Sequence, residues 1–138
     1  MDITMKPILL SALVTLGACA TEPVYFTPHD EAVEDFIVTN KLTAVERIRK
    51  YDRDTWIYVN NRYVIYRGRP DDYLMQFRHQ CGELRDNSWI PADLRYDHRN
   101  FHARVDTLRG CIVERIYPIT SAQRNELRAL GEAPGQRN

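Results

Sequence analysis

The residues whose chemistry depends most on their setting are three cysteines. Cys19 ends an apolar run and is followed directly by polar sequence, whereas Cys81 and Cys111 lie far downstream. Thiolates act as nucleophiles and metal ligands, and pairs of thiols oxidise to disulfides. Because the count is odd, one cysteine must have a different fate if the other two pair.

The segment before Cys19 has the organisation of a bacterial lipoprotein leader. The basic residue Lys6 precedes the mostly apolar Pro7–Leu16, which is too short for a membrane-spanning helix and typical of a secretory signal. Leu16–Cys19 resembles the lipobox, an aliphatic residue and two small residues before cysteine. The resemblance implies cleavage before Cys19, a diacylglyceryl group on its sulfur and acylation of the new amino group, which together anchor a protein stably. Ala20 in place of Asp after the cysteine favours the outer membrane.

These features divide the chain into a signal peptide (1–18), a lipidated cysteine with its tether (19–27), a single domain (28–131) and a polar tail (132–138). The alternative is an ordinary signal peptide in which Cys19 is incidental. Met5 offers a cleaner start to the leader than Met1, because Asp2 precedes the basic residue. The expected location is the periplasmic face of the bacterial cell envelope.

If Cys19 carries lipid, Cys81 and Cys111 remain as an even pair in an oxidising compartment, where a disulfide is expected. Closing a loop of roughly 30 residues would stabilise the domain by about 3–4 kcal/mol. A redox-active pair is the alternative, but no Cys-x-x-Cys motif or adjacent activating residue accompanies these cysteines. A zinc site is disfavoured, because the spacing matches no zinc pattern and His79 is the nearest other ligand type.

Two further patterns could carry chemistry. His98 and His102 have the spacing of metal ligands on a helix, but the residues between them predict a turn leading into a strand. Asp71 and Asp72 could form a paired-carboxylate site, although a turn beginning with Arg-Pro explains both. Since the chain has neither a nucleophile elbow nor a glycine-rich phosphate loop, we predict no catalytic residues, no metal, no cofactor and no enzymatic activity.

Aromatic and arginine side chains are concentrated on one predicted β-hairpin. The aromatic stripe is explained most simply by cross-strand pairing and filling of the core. The alternative is that part of the stripe is an exposed binding face beside the arginines. The residues of this candidate face are Tyr58, Arg62, Tyr66, Arg67 and Arg69, and Trp56, Tyr63 and Tyr73 complete the stripe.

Length and composition restrict the classes of function. The 138 residues are enough for one domain, and the hydrophobic (43%) and charged (28%) fractions are those of an ordinary globular protein. The formal net charge is zero and the bases are interleaved with acids. A nucleic-acid partner is therefore not expected, because such proteins carry a denser basic patch.

The mature chain predicts an α+β fold with a helix at each end. Thr27–Asp30 supplies a cap, a proline at the first helical position and an acid, after which apolar residues recur at helical spacing to about Asn40. Thr120–Gln123 is a capping box that begins a short C-terminal helix closed by Gly131.

Between the helices the apolar period is close to two. Tight turns predict an antiparallel β-meander of about six or seven short strands, forming a curled sheet or small barrel. Asn60–Arg62 is a hairpin signal, and Pro118 is expected to end the last strand. The predicted strands are "AVERIRKY", "TWIYV", "YVIYRG", "YLMQF", "WIPADLRYD", "HARVDTL" and "CIVERIY".

Several segments from about Asp30 to Asn138 together resemble a known family. They are "EDFI", "DTWIYVNNRYVIYRGRPDDYLMQF", "CGELRDN", "RGCIVERIYPIT" and "LGEAPGQRN". In these the chain is similar to the proteobacterial lipoproteins of domain-of-unknown-function family 6491. The paired cysteines and the Arg-Gly-Cys segment, followed by a hydrophobic strand and Pro, are the most specific parts. The resemblance supports the envelope location and the disulfide, and it implies no activity.

The sequence favours a non-enzymatic, lipid-anchored module that binds another envelope component, either a protein or a glycan. The alternative is a small-ligand carrier or enzyme with a pocket lined by the aromatic stripe and its arginines. A lysozyme-inhibitor-like protein is a narrower hypothesis, and the arginine-rich β region argues against it because its target would be cationic.

Overall fold

The structure is a computed structural model that describes residues 27–50, 55–84 and 92–130. Within these ranges the elements follow the predicted order of helix, short strands and helix. They are α1 (Asp30–Thr39), β1 (Arg47–Arg49), β2 (Thr55–Asn60), β3 (Tyr63–Arg67), β4 (Asp72–Phe77), a 3₁₀ turn (Gly82–Leu84), β5 (Ala92–Asp93), β6 (Asn100–His102), β7 (Thr107–Leu108), β8 (Cys111–Ile119) and α2 (Ser121–Ala129).

Six of these strands form one curled, half-barrel sheet in the order β2-β3-β4-β8-β7-β5, and every neighbouring pair is antiparallel. β1 and β6 form a separate two-stranded sheet. The structure confirms the α+β class and the curled antiparallel sheet. The consecutive meander covers β2 to β4, and β8 then lies beside β4.

Both faces of the central strands are covered, so β3 and β4 are buried in near-continuous runs while successive side chains point to opposite faces. On one face, side chains of β2, β3, β4 and β8 pack against the two helices; we call this the helix-side core. Its buried members are Val33, Phe36, Val59, Tyr63, Ile65, Leu74, Tyr117, Ile119 and Leu127. The opposite face packs against the β1–β6 pair, in a cluster that includes Ile48, Trp56, Val64, Tyr66, Met75, Phe77, Phe101, Leu108 and Ile116.

The predicted disulfide is confirmed. Cys81 and Cys111 are bonded, with their Cα atoms 6.1 Å apart, and Cys81 is buried. The bond joins the segment after β4 to the first residue of β8. It therefore fixes the end of the β4–β8 pair, which forms the centre of the sheet.

The predicted cap of the first helix is wrong. α1 begins at Asp30, and His29 is its N-cap without a side-chain hydrogen bond. Pro28 lies before the helix, where its carbonyl oxygen accepts a hydrogen bond from Asn60 Nδ2 at 3.0 Å. The second helix begins as predicted, because the Thr120 hydroxyl and the Gln123 side chain form the reciprocal capping box.

The predicted strand "HARVDTL" is also wrong, since a turn separates β6 from β7. The fully buried Asp106 carboxylate holds this turn by accepting hydrogen bonds from His102 N at 2.6 Å and Arg95 N at 2.8 Å. Arg104 has a left-handed φ of 65°, which a strand does not allow. The alternation of polar and apolar residues cannot reveal a carboxylate that binds backbone in this way.

Other strand limits differ from the prediction. β8 runs through Pro118 to Ile119, and Pro118 lies opposite Tyr73 of β4. The first predicted strand is reduced to the three residues of β1, and Val45 forms an isolated bridge with Ile116. Part of "WIPADLRYD" lies outside the described residues, and β5 covers two of the others.

Two predicted parts of the chain lie outside the described residues. The first is the leader (1–18) with Cys19 and the tether up to residue 26, and the second is Gly131 with the tail (132–138). Among the helices that the structure describes, none has the length and apolar character needed to cross a membrane.

Candidate binding groove

A groove of about 640 Å³ opens between the start of α1 and the turn that joins β2 to β3. It also touches the segment that follows β4, so three separate parts of the chain form its walls. Its volume is in the range of small-ligand sites in proteins. The residues that line it are Thr27, Pro28, His29, Asp30, Glu31, Tyr58, Asn60, Asn61 and Gln80.

Asn60 holds two of these walls together. Its Oδ1 accepts hydrogen bonds from the backbone N–H groups of Arg62 at 2.8 Å and Tyr63 at 2.9 Å, which closes the hairpin turn. Its Nδ2 donates to Pro28 O at 3.0 Å and Asp30 Oδ1 at 2.9 Å. Asn60 is 6% exposed and uses both its donors and its acceptor. It therefore fixes the turn against the helix start.

The third wall is attached through Gln80. Its Nε2 donates to Asp30 Oδ2 at 3.0 Å, so both oxygens of this carboxylate accept a side-chain amide. The next residue, Cys81, donates its backbone N–H to Asn61 O at 2.6 Å. Because Cys81 is also bonded to Cys111, the disulfide holds the Gln80 segment beside the hairpin turn.

Tyr58 and Asn61 form the wall nearest the hairpin. The Tyr58 hydroxyl donates to Asn61 Oδ1 at 2.5 Å, which orients the amide of Asn61. Tyr58 is half-buried, so its ring combines an apolar surface with a polar end.

The electrostatic character of the groove is acidic. Asp30 and Glu31 line it, and none of the nine lining residues of the described chain is Lys or Arg. Beneath the turn, burial raises the pKa of Tyr63 to about 12, with a smaller contribution from the negative charge of Glu34. The Tyr63 hydroxyl is therefore neutral at physiological pH, and it accepts a hydrogen bond from Gln76 Nε2 at 3.0 Å.

The structure separates the candidate binding face predicted from the sequence. Tyr58 and Arg62 lie near the hairpin turn, where Arg62 is half-buried and its Nε has no hydrogen-bond partner among the described residues. Arg67 and Arg69 are exposed at the opposite end of the hairpin. Tyr66 is 1% exposed and lies in the core, so it is not part of an exposed surface.

The buried part of the aromatic stripe fills the core. The Tyr66 ring centroid lies 4.7 Å from that of Trp56 and 5.9 Å from that of Tyr73. These separations are those of stabilising aromatic pairs. For these three residues, cross-strand packing is the role that the structure shows.

The opposite end of the hairpin carries a closed polar cluster. Asp72 Oδ2 lies 2.6 Å from Arg124 Nη1, and Asp72 Oδ1 lies 4.0 Å from Arg67 Nε. The side chains of Asp72 and Arg124 are 9% and 17% exposed. Gly68 permits the tight turn before β4, because a Cβ there would lie 2.7 Å from Asp71 O. This ion pair joins β4 to α2.

The two histidines at metal-ligand spacing, His98 and His102, do not lie on a helix. His98 is exposed in a loop and His102 ends β6. His102 Nε2 lies 3.9 Å from Asp97 Oδ2, and the Asn100 side chain, followed by Arg99 N, lowers the pKa of Asp97 by hydrogen bonding. Within the ranges 27–50, 55–84 and 92–130, no group of three or more His, Cys, Asp or Glu could hold a metal ion.

Most of the groove was not predicted from the sequence. The sequence indicated Asp30 as an acid at the start of a helix and Asn60 and Asn61 as turn residues. Gln80 carried no signal, because its role depends on the fold bringing residues 30, 61 and 80 together. The adjacent Cys81 was the one available indication that this segment is held in place.

Neither a search among curated proteins nor one among solved structures found a match to the chain. The model of a family of unknown function matches residues 3–133. This match covers nearly the whole sequence, including every described element. The chain therefore belongs to the family of unknown function DUF6491.

Proposed function

We propose that this protein is a non-enzymatic binding module, held in the bacterial cell envelope by lipid on Cys19, and that the groove is its binding site. The observation that carries the proposal is the groove itself, where polar side chains from three chain segments converge around about 640 Å³. The volume is within the range of ligand sites, and convergent polar groups are what fixes a ligand's orientation in such sites.

The disulfide supports the envelope location. Such bonds persist in oxidising compartments and are rare in the cytosol. Since Cys81 and Cys111 are bonded to each other, Cys19 is the remaining cysteine, and it stands at the end of the lipobox-like Leu16–Cys19. Ala20 favours onward transfer to the outer membrane.

The arrangement of the groove favours binding over catalysis. Both oxygens of the Asp30 carboxylate already accept amide hydrogen bonds from Asn60 and Gln80. A catalytic acid or base needs a proton that moves during reaction, whereas this carboxylate is held as an acceptor in a fixed network. Such a network suits the recognition of a ligand that keeps its covalent structure.

The alternative is a small-ligand carrier or enzyme with an aromatic and arginine-lined pocket. The described space beside Trp56 and Tyr66, which Lys50 also lines, has no room for a water molecule. Arg67 and Arg69 lie outside this space, on the surface.

Photocrosslinking in intact cells tests the binding site. We expect a photoreactive residue replacing Asn61, in the groove, to capture an envelope component after irradiation. The same residue replacing Arg128, on the exposed side of α2, should capture none. An absence of any adduct at position 61 above the level at position 128 would contradict the proposed function.

Labelling tests the anchor separately. We expect cells fed radiolabelled palmitate to incorporate the label into the wild-type chain and not into Cys19→Ser. The variant should also leave the membrane fraction. Retention of Cys19→Ser in membranes to the same extent as wild type would contradict lipid anchoring.

A further inference from the structure

We propose that the ligand of the groove is a saccharide, bound through its hydroxyl groups and an apolar ring face; this inference rests on the proposed function. The groove has both space and convergent polar groups. Its side chains are amides, carboxylates, a hydroxyl, the imidazole of His29, the ring of Pro28 and one tyrosine ring, and no lining residue is Lys or Arg.

The unused hydrogen-bonding capacity of the groove matches hydroxyl groups. Each Asp30 oxygen accepts one hydrogen bond and can accept another. Gln80 donates one N–H to Asp30, which leaves its carbonyl oxygen and its second N–H. Asn61 accepts from Tyr58 through Oδ1, which leaves its Nδ2 as a donor. The groove therefore offers both donors and acceptors, as a group that both donates and accepts requires.

The two carboxylates at the groove disfavour the main competing class of small polar ligand, although His29 and the start of α1 also line it. A phosphate or carboxylate ligand needs cationic or multiple N–H donors. The groove instead presents Asp30 and Glu31, whose carboxylates would repel an anion. A neutral polyol avoids this repulsion and can donate its O–H groups to the carboxylates.

Tyr58 supplies the apolar contact that a sugar ring needs. One face of a pyranose carries C–H groups, and an aromatic ring provides a flat surface for them. Tyr58 lines the groove, and its hydroxyl is engaged with Asn61, so the ring is held in one orientation. Tyr58, which also packs against the core, thus brings one aromatic side chain to a groove whose other lining residues are mainly polar.

The groove is organised before a ligand arrives, which reduces the entropy lost on binding. Asn60 uses its full hydrogen-bonding capacity to join the hairpin turn to Pro28 and Asp30. It is a positioning residue and has no free group for the ligand. The Cys81–Cys111 bond fixes the neighbouring residue Gln80 from the other side.

The place of the groove in the chain indicates where its saccharide would be found. Thr27 lines the groove and is eight positions after Cys19, since 27 − 19 is 8. Eight extended residues reach at most about 28 Å. A lipid anchor on Cys19 would therefore keep the groove close to the membrane. Saccharides of lipopolysaccharide and of the cell-wall strand are the two sources within such reach.

Titration of the full chain in detergent micelles tests the inference with two probes. Chitotetraose, a soluble oligomer of N-acetylglucosamine, represents the cell-wall strand, and lipopolysaccharide vesicles represent the membrane source. We expect saturable binding of at least one probe, with shifts of the Asn61 and Gln80 side-chain amide signals. Gln80→Ala should raise the Kd at least tenfold, and His79→Ala, an exposed neighbour outside the groove, should leave it unchanged.

The outcomes separate this inference from the proposed function. Binding of chitotetraose supports a cell-wall saccharide, and binding of vesicles alone supports a membrane saccharide. No binding of either probe, or equal Kd values for wild type and Gln80→Ala, would overturn the inference. If position 61 still captures a protein in cells, the proposed function stands without the saccharide; if it captures nothing, both are wrong.

Discussion

The two ends of the β2–β3 hairpin are both polar, but one is open and the other is closed. At the turn end, Asn60 and Gln80 hold the Asp30 carboxylate at the wall of a groove of about 640 Å³. At the opposite end, Arg124 and Arg67 surround Asp72, whose side chain is 9% exposed. One carboxylate is thus held by neutral amides beside a cavity, and the other is neutralised by cations within the protein.

This difference shows why charge density did not identify the candidate site. The arginines of the predicted binding face lie mainly at the closed end, where Arg67 approaches Asp72. Charges of opposite sign that meet inside a protein satisfy each other and leave little for a ligand. Amides can orient a carboxylate without neutralising it, and the carboxylate then remains available as an acceptor. The less charged end is therefore the better candidate.

The largest effect should come from removing the disulfide. We expect the double variant Cys81→Ala, Cys111→Ala to lose about 3–4 kcal/mol of unfolding free energy, because the bond closes a loop of roughly 30 residues. Denaturant unfolding measures this loss.

Hydrogen exchange in the same variant sharpens the comparison. The backbone N–H of residue 81 donates to Asn61 O. Loss of the disulfide should accelerate exchange of this N–H more than exchange of the amides of the β3–β4 pair near Asp72. Equal acceleration at both ends of the hairpin would show that the disulfide does not specifically support the groove.

The closed end should respond strongly in stability and weakly in binding. We expect Arg124→Met to cost about 3 kcal/mol, since it leaves the nearly buried Asp72 carboxylate with Arg67 at 4.0 Å. Combining it with Asp72→Asn should recover part of the loss, because no charge is then left unpaired. Thermal unfolding of the three variants measures the coupling.

The NMR signals of side chains that line the groove provide the control for that experiment. The side-chain amide resonances of Asn61 and Gln80 should be unchanged in Arg124→Met at a temperature where the variant is folded. Shifts there as large as those near Asp72 would show that the two ends are coupled, which contradicts the comparison.

A smaller effect should appear at high pH through Tyr63, which lies below the turn end. Its pKa is raised by burial from the ordinary tyrosine value of 10.0 to about 12 in the folded protein. Both states are protonated below pH 10, and between pH 10 and 12 the unfolded state loses the proton first. Unfolding free energy should therefore fall as pH rises, by about 1 kcal/mol from pH 10 to pH 11 from this group.

Tyr63→Phe tests that assignment. The variant should show a shallower loss of stability between pH 10 and 11 than wild type, measured by denaturant unfolding at each pH. An identical slope in both proteins would mean that Tyr63 ionises similarly in the folded and unfolded states.

The sequence predicted what repeats or pairs locally, and it missed what depends on distant contacts. Runs rich in β-forming residues, separated by turn residues, identified β2, β3 and β4, and Thr120 with Gln123 identified the start of α2. The turn between β6 and β7 was missed because Asp106 binds backbone at Arg95, eleven positions earlier in the chain.

The groove was missed for the same physical reason on a larger scale. Gln80 meets Asp30 across 50 positions of sequence, and Asn60 meets Asp30 across 30. Neither amide belongs to a short motif, and each is an ordinary surface or turn residue until the sheet forms. The disulfide was predictable because only a few cysteines exist to be paired, whereas amides have many possible partners.

The smallest effect on stability should come from the residue most important for the ligand. Gln80 is exposed and makes one hydrogen bond to Asp30, so we expect Gln80→Ala to change the unfolding free energy by less than about 0.5 kcal/mol. Asn60→Ala, which removes four hydrogen bonds at a residue 6% exposed, should cost about 2 kcal/mol. Denaturant unfolding of the two variants side by side makes the comparison. A residue that contributes little to stability, yet whose loss weakens binding at least tenfold, belongs to the ligand site rather than to the scaffold. If Gln80→Ala instead lowered the unfolding free energy by about 2 kcal/mol, the open end would be as structural as the closed one.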